Sequence, residues 1–384
     1  MRFIHTGDWH LGRSFYNTSL IEDQGYVLDQ FVACVQDRKP DLVLIAGDVY
    51  DRAVPPTDAI QLLDETLSRL ILGARVPVIL IAGNHDNPHR LQFGARLMES
   101  LRLYIHGTLA NSTSFIQMYD DAGPVCFYAL PYAEPPEMRE HLADTPIHDD
   151  ATRGSVRAWI QAIQSTRPTG ARTVLTTHAF VQGGEASDSE RPLFVGGTGA
   201  IPAQIFQGFD YVALGHLHRS QSIAGAPIHY AGSLLKYSFS EAAHTKSIHW
   251  VELDATGNCR IEKIPLTPKR DVRCVEGYLA DLIKTPVGNR DDFIQFKLRD
   301  QRAILDVMGK LREQYPNALD IDRTSALDQA RLEIRHPNLR QADVVGLFDD
   351  FFLQATGNAL TADERDAFTV IVEKMRRQER EQAE

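Results

Sequence analysis

Asp8-Trp9-His10, Gly47-Asp48, Gly83-Asn84-His85-Asp86, His178 and Gly215-His216-Leu217-His218 are short polar clusters spread through a chain of 384 residues. Together they offer three carboxylate or amide oxygens (Asp8, Asp48, Asn84) and four imidazoles (His10, His178, His216, His218), with no thiolate among them. Mixed nitrogen and oxygen donors suit Mn²⁺, Fe or Zn²⁺ better than copper or calcium. Seven ligands exceed one ordinary site and suit two ions that share a carboxylate. Two such ions about 3.5 to 4 Å apart lower the pKa of a water and clamp the oxygens of an attacked phosphoryl group, so the chemistry predicted is hydrolysis of a phosphate ester. Taken singly, each cluster is weak. Gly-Asp after a strand is usually a turn, and an isolated histidine is more often a hydrogen-bonded core residue. Their joint occurrence, each at a strand end, is what points to a two-metal site.

The elements that must position these groups are legible in the hydrophobic pattern. Phe3 to His5, Leu42 to Ala46, Val76 to Ala82, Arg172 to Thr177 and Tyr211 to Leu214 read as strands, two of them almost wholly apolar, as strands covered on both faces are. Between Glu22 and Arg38, Val27, Leu28, Phe31, Val32 and Val35 recur at helical spacing. Pro55-Pro56 stops the chain, and Thr57 is placed to cap a second helix carrying Ile60, Leu63, Leu67 and Leu70. The alternation predicts an α/β domain, with the ligand crevice outside the carboxyl ends of its strands. Residues 113–136 turn to short strands punctuated by Pro and Gly, and residues 183–199 are rich in Gly and Ser; both read as loops or excursions. A last strand over His249 to Leu253 and two prolines between Ile264 and Arg270 mark a domain boundary. Beyond it, strands at Phe293 to Leu298 and Arg331 to Arg335 flank a helix from about Arg302 to Tyr315, enough for a small α+β module. Helices follow over Ala342 to Gln354 and from the capping-box pattern Thr361-Ala-Asp-Glu364.

Composition narrows the class. The chain is 43% hydrophobic and 24% charged with a net charge of −11, so it reads as folded, yet has the wrong sign for a broad nucleic-acid-binding face. No apolar run approaches the ~20 residues of a membrane span. No exported leader is recognisable, and the expected compartment is the cytoplasm. Four widely spaced cysteines argue against a zinc ribbon or a disulfide framework.

The order Asp-x-His, Gly-Asp-x-x-Asp, Gly-Asn-His-Asp, His, Gly-His-x-His resembles the calcineurin-like metallophosphoesterases. The runs His5-Thr-Gly-Asp-Trp-His-Leu-Gly12, Ala46-Gly-Asp-Val-Tyr-Asp51, Ala213-Leu-Gly-His-Leu-His218 and Tyr230 to Glu241 are similar to their SbcD branch. The resemblance is close over residues 1 to about 265 and one of layout only thereafter. It implies an α/β sandwich of two central sheets flanked by helices over 1–265, a capping domain over 271–336, and a helical partner-binding segment over 340–380. It implies that Asp8, His10, Asp48 and His218 hold one ion and that Asp48, Asn84, His178 and His216 hold the other, with Asp48 bridging and Mn²⁺ as the metal. His85 would face the phosphate and stabilise or protonate the leaving oxygen. A carboxylate from Asp51 or Asp86 would raise the pKa of His85 and fix its tautomer. The resemblance favours Asp51, whose alternative role is to cap the turn before Pro55. The implied activity is exonuclease action on duplex ends and endonuclease action on single strands and hairpins, in DNA repair, recombination and replication. The implied partners are DNA, a second copy through the nuclease domain, and an SbcC-like ATPase with a long coiled coil, two of each chain forming a heterotetramer. Phe348, Phe351, Phe352, Phe368, Ile371 and Val372 would supply the surface for that ATPase. Two other readings remain: a phosphoesterase acting on small esters or cyclic nucleotides, and a non-catalytic scaffold of the same shape.

Overall fold

A run such as Leu42-Val43-Leu44-Ile45-Ala46, apolar at every position, is stable only as a strand covered on both faces, and all five of its residues are buried. The computed structural model describes residues 1–141, 151–191, 200–300, 304–322, 345–346, 348, 352 and 359–383. The first sheet has the order β14 (Cys259–Pro265), β13 (Ser247–Leu253), β1 (Arg2–Thr6), β4 (Leu42–Ala46), β5 (Val78–Ile81) and β6 (Leu103–His106). In the second the order is β11 (Gln221–Ser222), β12 (Ile228–Tyr230), β10 (Tyr211–Gly215), β9 (Arg172–His178), β8 (Gly123–Leu130) and β7 (Phe115–Asp120). A small hairpin, β2 (Ser14–Phe15) and β3 (Thr18–Ser19), follows the first polar cluster.

The sheets face one another across Phe3, Leu44, Ile79 and Ile81 on one side and Phe127, Val174, Tyr211 and Ala213 on the other. Helices α1 (Ile21–Arg38) and α2 (Thr57–Ser68) pack with the outer face of the first sheet, α1 burying the five-residue stripe from Val27 to Val35. Helix α3 (Ala151–Ser165) covers the second sheet with Trp159, Ile160 and Ile163. Because β1, β4, β5 and β6 run parallel, and β8, β9, β10 and β12 likewise, each sheet gathers its carboxyl ends on one edge.

Three local expectations change. The short strands expected in residues 113–136 are present but form no excursion: Gly123, at φ 105°, turns a hairpin, and β8 runs buried through the second sheet from Val125 to Leu130. Thr57 does not cap α2; extended Pro56 holds the cap position and Thr57 is already helical. The helix expected from Arg302 is shorter, α5 (Val307–Arg312), and it starts where the Asp306 side chain accepts the Gly309 N–H.

That helix belongs to a small module. Strands β15 (Val272–Gly277), β16 (Phe293–Leu298) and β17 (Ala318–Asp322) pair in parallel. With α4 (Leu279–Lys284) and α5 they enclose Val275, Leu282, Phe296, Leu311 and Tyr315. Its third strand is Ala318–Asp322; the strand expected over Arg331 to Arg335 lies outside the described residues.

The chain divides into two compact units, Met1–Arg323 and Thr324–Glu384. In the second, α6 (Ala362–Ala383) opens with the expected capping box: the Glu364 carboxylate accepts the Thr361 N–H at 2.9 Å, and the Thr361 hydroxyl faces the Glu364 N–H at 3.4 Å. The Phe348 ring stacks on Phe368 with centroids 3.8 Å apart. Of the helix expected over 342–354, only residues 345, 346, 348 and 352 are described, and they are helical. Among the described residues no helix is long and apolar enough to cross a membrane.

Candidate metal centre

The loops after β1 and β4 are tied together before any side chain acts. Asp8 N–H donates to Gly47 O at 3.0 Å, and His10 N–H donates to Asp48 O at 2.9 Å. Asp8, His10, Asp48 and His216 all have positive φ, at 52°, 47°, 48° and 103°. Non-glycine residues hold such backbone at a cost of roughly 1 kcal/mol or more each, and they cluster where function requires the geometry. The second sheet is brought in by Gly215, the last residue of β10. A Cβ there would lie 1.8 Å from Ala46 O and 2.7 Å from His178 Nδ1. Only glycine lets the ends of β10 and β4 approach this closely, and that approach unites clusters from the two halves of the domain.

The clusters converge. His10 Nε2 and His218 Nε2 lie 3.0 Å apart. Asp48 Oδ2 lies 3.5 Å from His10 Nε2 and 3.4 Å from His178 Nε2. His178 Nε2 is 2.9 Å from Asn84 Oδ1, which is 3.4 Å from His216 Nδ1. Donors each about 2.1 Å from a shared cation stand about 3.0 to 3.4 Å apart at right-angled to tetrahedral geometry, so these spacings are those of ligand sets. Asp48 Oδ2 is nearly equidistant from the two groups. Asp8 Oδ1 accepts the His216 N–H at 2.8 Å, while its Oδ2 is buried without a hydrogen-bond partner among the described residues. An orphaned, buried carboxylate oxygen in a group with His10 and Asp48 fits a cation. Asp8, His10 and Asp48 form one group able to hold an ion, and His10, Asp51 and His85 form another.

The electrostatics agree with that fit. Burial raises the Asp8 carboxyl to about 7. Asp48 stays well below the carboxylate range because His178 and His10 outweigh its burial. His178, likewise buried, is lifted to about 9 by Asp48. Burial, then His178, drives His216 down to about 3, and burial holds His10 well below its usual value. The buried cluster thus protonates some members and neutralises others; divalent cations would supply the charge it lacks.

His85 lies beside this cluster, its N–H donating to Asp48 Oδ1 at 2.9 Å and its ring 4.5 Å from that of His10. Its Nδ1 lies 2.8 Å from the Asp51 backbone carbonyl. A carbonyl only accepts, so Nδ1 carries the proton and Nε2 is left for a substrate. The partner atom is therefore main chain; the Asp51 carboxylate turns instead to His10 Nδ1 at 3.6 Å and Arg13 Nη1 at 3.4 Å. Burial lowers the pKa of His85, opposed by Asp48. Asp86 is committed elsewhere: its carboxylate accepts the N–H groups of Val49, Tyr50 and Gly83 and so shapes the loop before Asn84.

Sequence reading misses the groups behind His218. Glu190, Ser189, Glu241 and Lys246 surround it. Glu241 closes one of the recognisable runs, but no spacing or periodicity singles out Ser189 or Glu190.

Comparison with known proteins follows the same lines. A family described as Calcineurin-like phosphoesterase matches residues 1–220, more than half of the chain. A second, SbcD_C, described as Type 5 capsule protein repressor C-terminal domain, matches residues 268–356. Among solved structures, TT1561 of Thermus thermophilus is 14% identical with a TM-score of 0.39, covering 68% of this chain and 98% of that one. A dimetal phosphatase from Danio rerio is 13% identical with a TM-score of 0.43, covering 70% and 98%. The chain belongs to the calcineurin-like phosphoesterases, metal-dependent hydrolases, and carries after its catalytic domain the C-terminal domain of the SbcD type.

Proposed function

We propose that this chain is the nuclease subunit of a DNA end-processing complex, a two-metal phosphodiesterase cutting duplex ends, single strands and hairpins. The observation that carries the reading is one chain joining a calcineurin-like phosphoesterase domain to an SbcD-type C-terminal domain. Asp8, His10, Asp48 and His218 would hold one ion and Asp48, Asn84, His178 and His216 the other, with Mn²⁺ the preferred metal. The ions supply an activated water and neutralise charge on the phosphoryl oxygens. His85, its Nδ1–H held by the Asp51 carbonyl, would serve the leaving oxygen as an imidazolium that also carries hydrogen on Nε2, a state the substrate phosphate would favour against burial.

Residues 1–265 form the nuclease domain and 271–336 the cap. The cap's place beside the site is supported by Phe15, which packs on Phe293 with centroids 5.8 Å apart, and by Arg270, whose guanidinium pairs with buried Asp23. The net charge of −11 leaves DNA attraction to a partner, an SbcC-like ATPase docking on residues 340–380. Val370 and Ile371 on α6, 64% and 55% exposed, favour that docking. Homodimerisation is favoured by Ile60, Leu72, Phe93 and Leu101, exposed around one apolar hollow of the nuclease domain, and by Leu97 in the neighbouring hollow that shares Phe93.

The test is to incubate the purified chain, with and without the ATPase, with Mn²⁺ and end-labelled duplex and hairpin DNA. The reading predicts metal-dependent cleavage that the partner stimulates. Hydrolysis confined to small phosphomonoesters would refute it. Deleting the chain from Gln341 is expected to abolish co-purification with the ATPase; retained binding would refute the docking role.

A further inference from the structure

The segment that follows Gly183 in sequence reaches back onto the candidate metal centre. Ser189 is buried, and its Oγ lies 2.5 Å from His218 Nδ1 and 2.6 Å from Glu241 Oε1. Glu241 is fully buried and pairs with the buried ammonium of Lys246, so its carboxylate is ionised and can only accept. Oε1 also accepts the Tyr237 N–H at 3.1 Å. A hydroxyl has one proton. Ser187 Oγ lies farther off, at 3.0 Å, and gives its own proton to Glu190; beside the ionised carboxylate at 2.6 Å, Ser189 gives its proton to Glu241, which leaves its lone pairs to accept from His218, and Nδ1 of His218 must then carry hydrogen. The remaining nitrogen, Nε2, is the one 3.0 Å from His10 Nε2.

The main chain of His218 is held as well. Its N–H donates to Glu190 Oε1 at 2.8 Å, and its carbonyl accepts from Lys246 Nζ at 2.7 Å. Arg13 Nη2 donates to Ser189 O at 3.1 Å, tying the segment to the loop that follows His10.

We propose that Ser189, oriented by Glu241, is a positioning residue that fixes His218 as its Nδ1–H tautomer, presents Nε2 to one of the two cations, and so sets how tightly that cation is held. The inference rests on the two-metal reading. Hydrogen-bonded partners of a ligating histidine fix its tautomer and raise its basicity, and their loss weakens metal binding by about 10- to 100-fold. The relay also gives a purpose to an ionised carboxylate buried with a lysine, a pairing that seldom stabilises a fold on its own account.

The experiment compares the unsubstituted chain with Ser189→Ala and Ser189→Thr, each checked by thermal melting. Calorimetric titration with Mn²⁺ alone reads the affinities, and long-range proton–nitrogen NMR of histidine-labelled, metal-free chain reads the His218 tautomer. Ser189→Ala is expected to shift His218 towards Nε2–H and weaken one Mn²⁺ step by about 10- to 100-fold, leaving the other within about twofold. Ser189→Thr, which keeps the hydroxyl, restores both. An unchanged tautomer, Mn²⁺ affinities within about twofold in Ser189→Ala, or a loss that threonine does not restore would overturn the proposal. Failure of the unsubstituted chain to take up Mn²⁺ would instead defeat the two-metal reading, and the metal-free tautomer would still judge the relay.

Discussion

Replacing Gly215 by alanine tests whether the close approach of the two sheets makes the site. The added Cβ would stand 1.8 Å from Ala46 O, a backbone atom that cannot rotate away. An ordinary carbon–oxygen contact needs about 3.3 Å, so the ends of β4 and β10 must separate by about 1.5 Å. Transmitted in full, that shift stretches the gap from Asp48 Oδ2 to His178 Nε2 from 3.4 Å to about 4.9 Å. Two donors sharing an ion at about 2.1 Å each can stand no more than about 4.2 Å apart. The ion held between Asp48 and His178 is therefore lost, and because His218 also follows β10 the other site is loosened too, while overpacking costs the fold about 1 to 3 kcal/mol. Calorimetric Mn²⁺ titration should show at least one of the two binding steps lost, with the thermal midpoint lowered but the melt still cooperative. Gly73→Ala is the control, since nothing among the described residues lies within 4 Å of its new Cβ. A Gly215→Ala chain that binds two Mn²⁺ with affinities within about twofold of the original would refute the reasoning.

Other consequences can be checked separately. His85→Gln should retain both Mn²⁺ steps yet cut phosphodiester hydrolysis by about 10²- to 10⁴-fold, as expected for loss of a proton donor; a smaller fall would assign His85 to loop structure. Buried His249 is lowered to about 3 by burial, aided by Lys263 and His229, against about 6.5 when unfolded. Neutral in the fold, it contributes stability that is whole above about pH 6.5 and lost as pH falls towards 3. Near pH 4.5 the loss approaches about 2 to 3 kcal/mol. His249→Gln should flatten the urea midpoint between pH 6.5 and 4.5, and an unchanged slope would point to other groups such as His5. If the unsubstituted chain sediments as the proposed dimer, Leu97→Glu should shift it to monomer without altering Mn²⁺ binding; an unaltered dimer would move that interface elsewhere, and a monomeric unsubstituted chain would refute the dimer itself.

Much of the site is readable in the sequence because its residues sit at strand ends, where a doubly covered strand gives way to a Gly-Asp or Gly-His turn and the pattern changes abruptly. The strands at Leu42 and Phe293 fall where the apolar runs place them. The hairpin of β7 and β8 reads as an excursion because Gly123 and Pro124 punctuate it, although the two residues only turn the chain and open a long buried strand. Spacing also does not distinguish the main-chain carbonyl of Asp51 from its carboxylate as the partner of His85. Nor does it find Ser189, which reaches His218 only through tertiary folding of a Gly- and Ser-rich segment.

The central claim is that two divalent cations share Asp48. Crystals of the full chain soaked in Mn²⁺ and measured at the manganese absorption edge test it most directly. Two anomalous peaks about 3.5 to 4 Å apart, one on each side of Asp48 Oδ2, are predicted. A single peak, or peaks away from Asp48, His10 and His178, would contradict it.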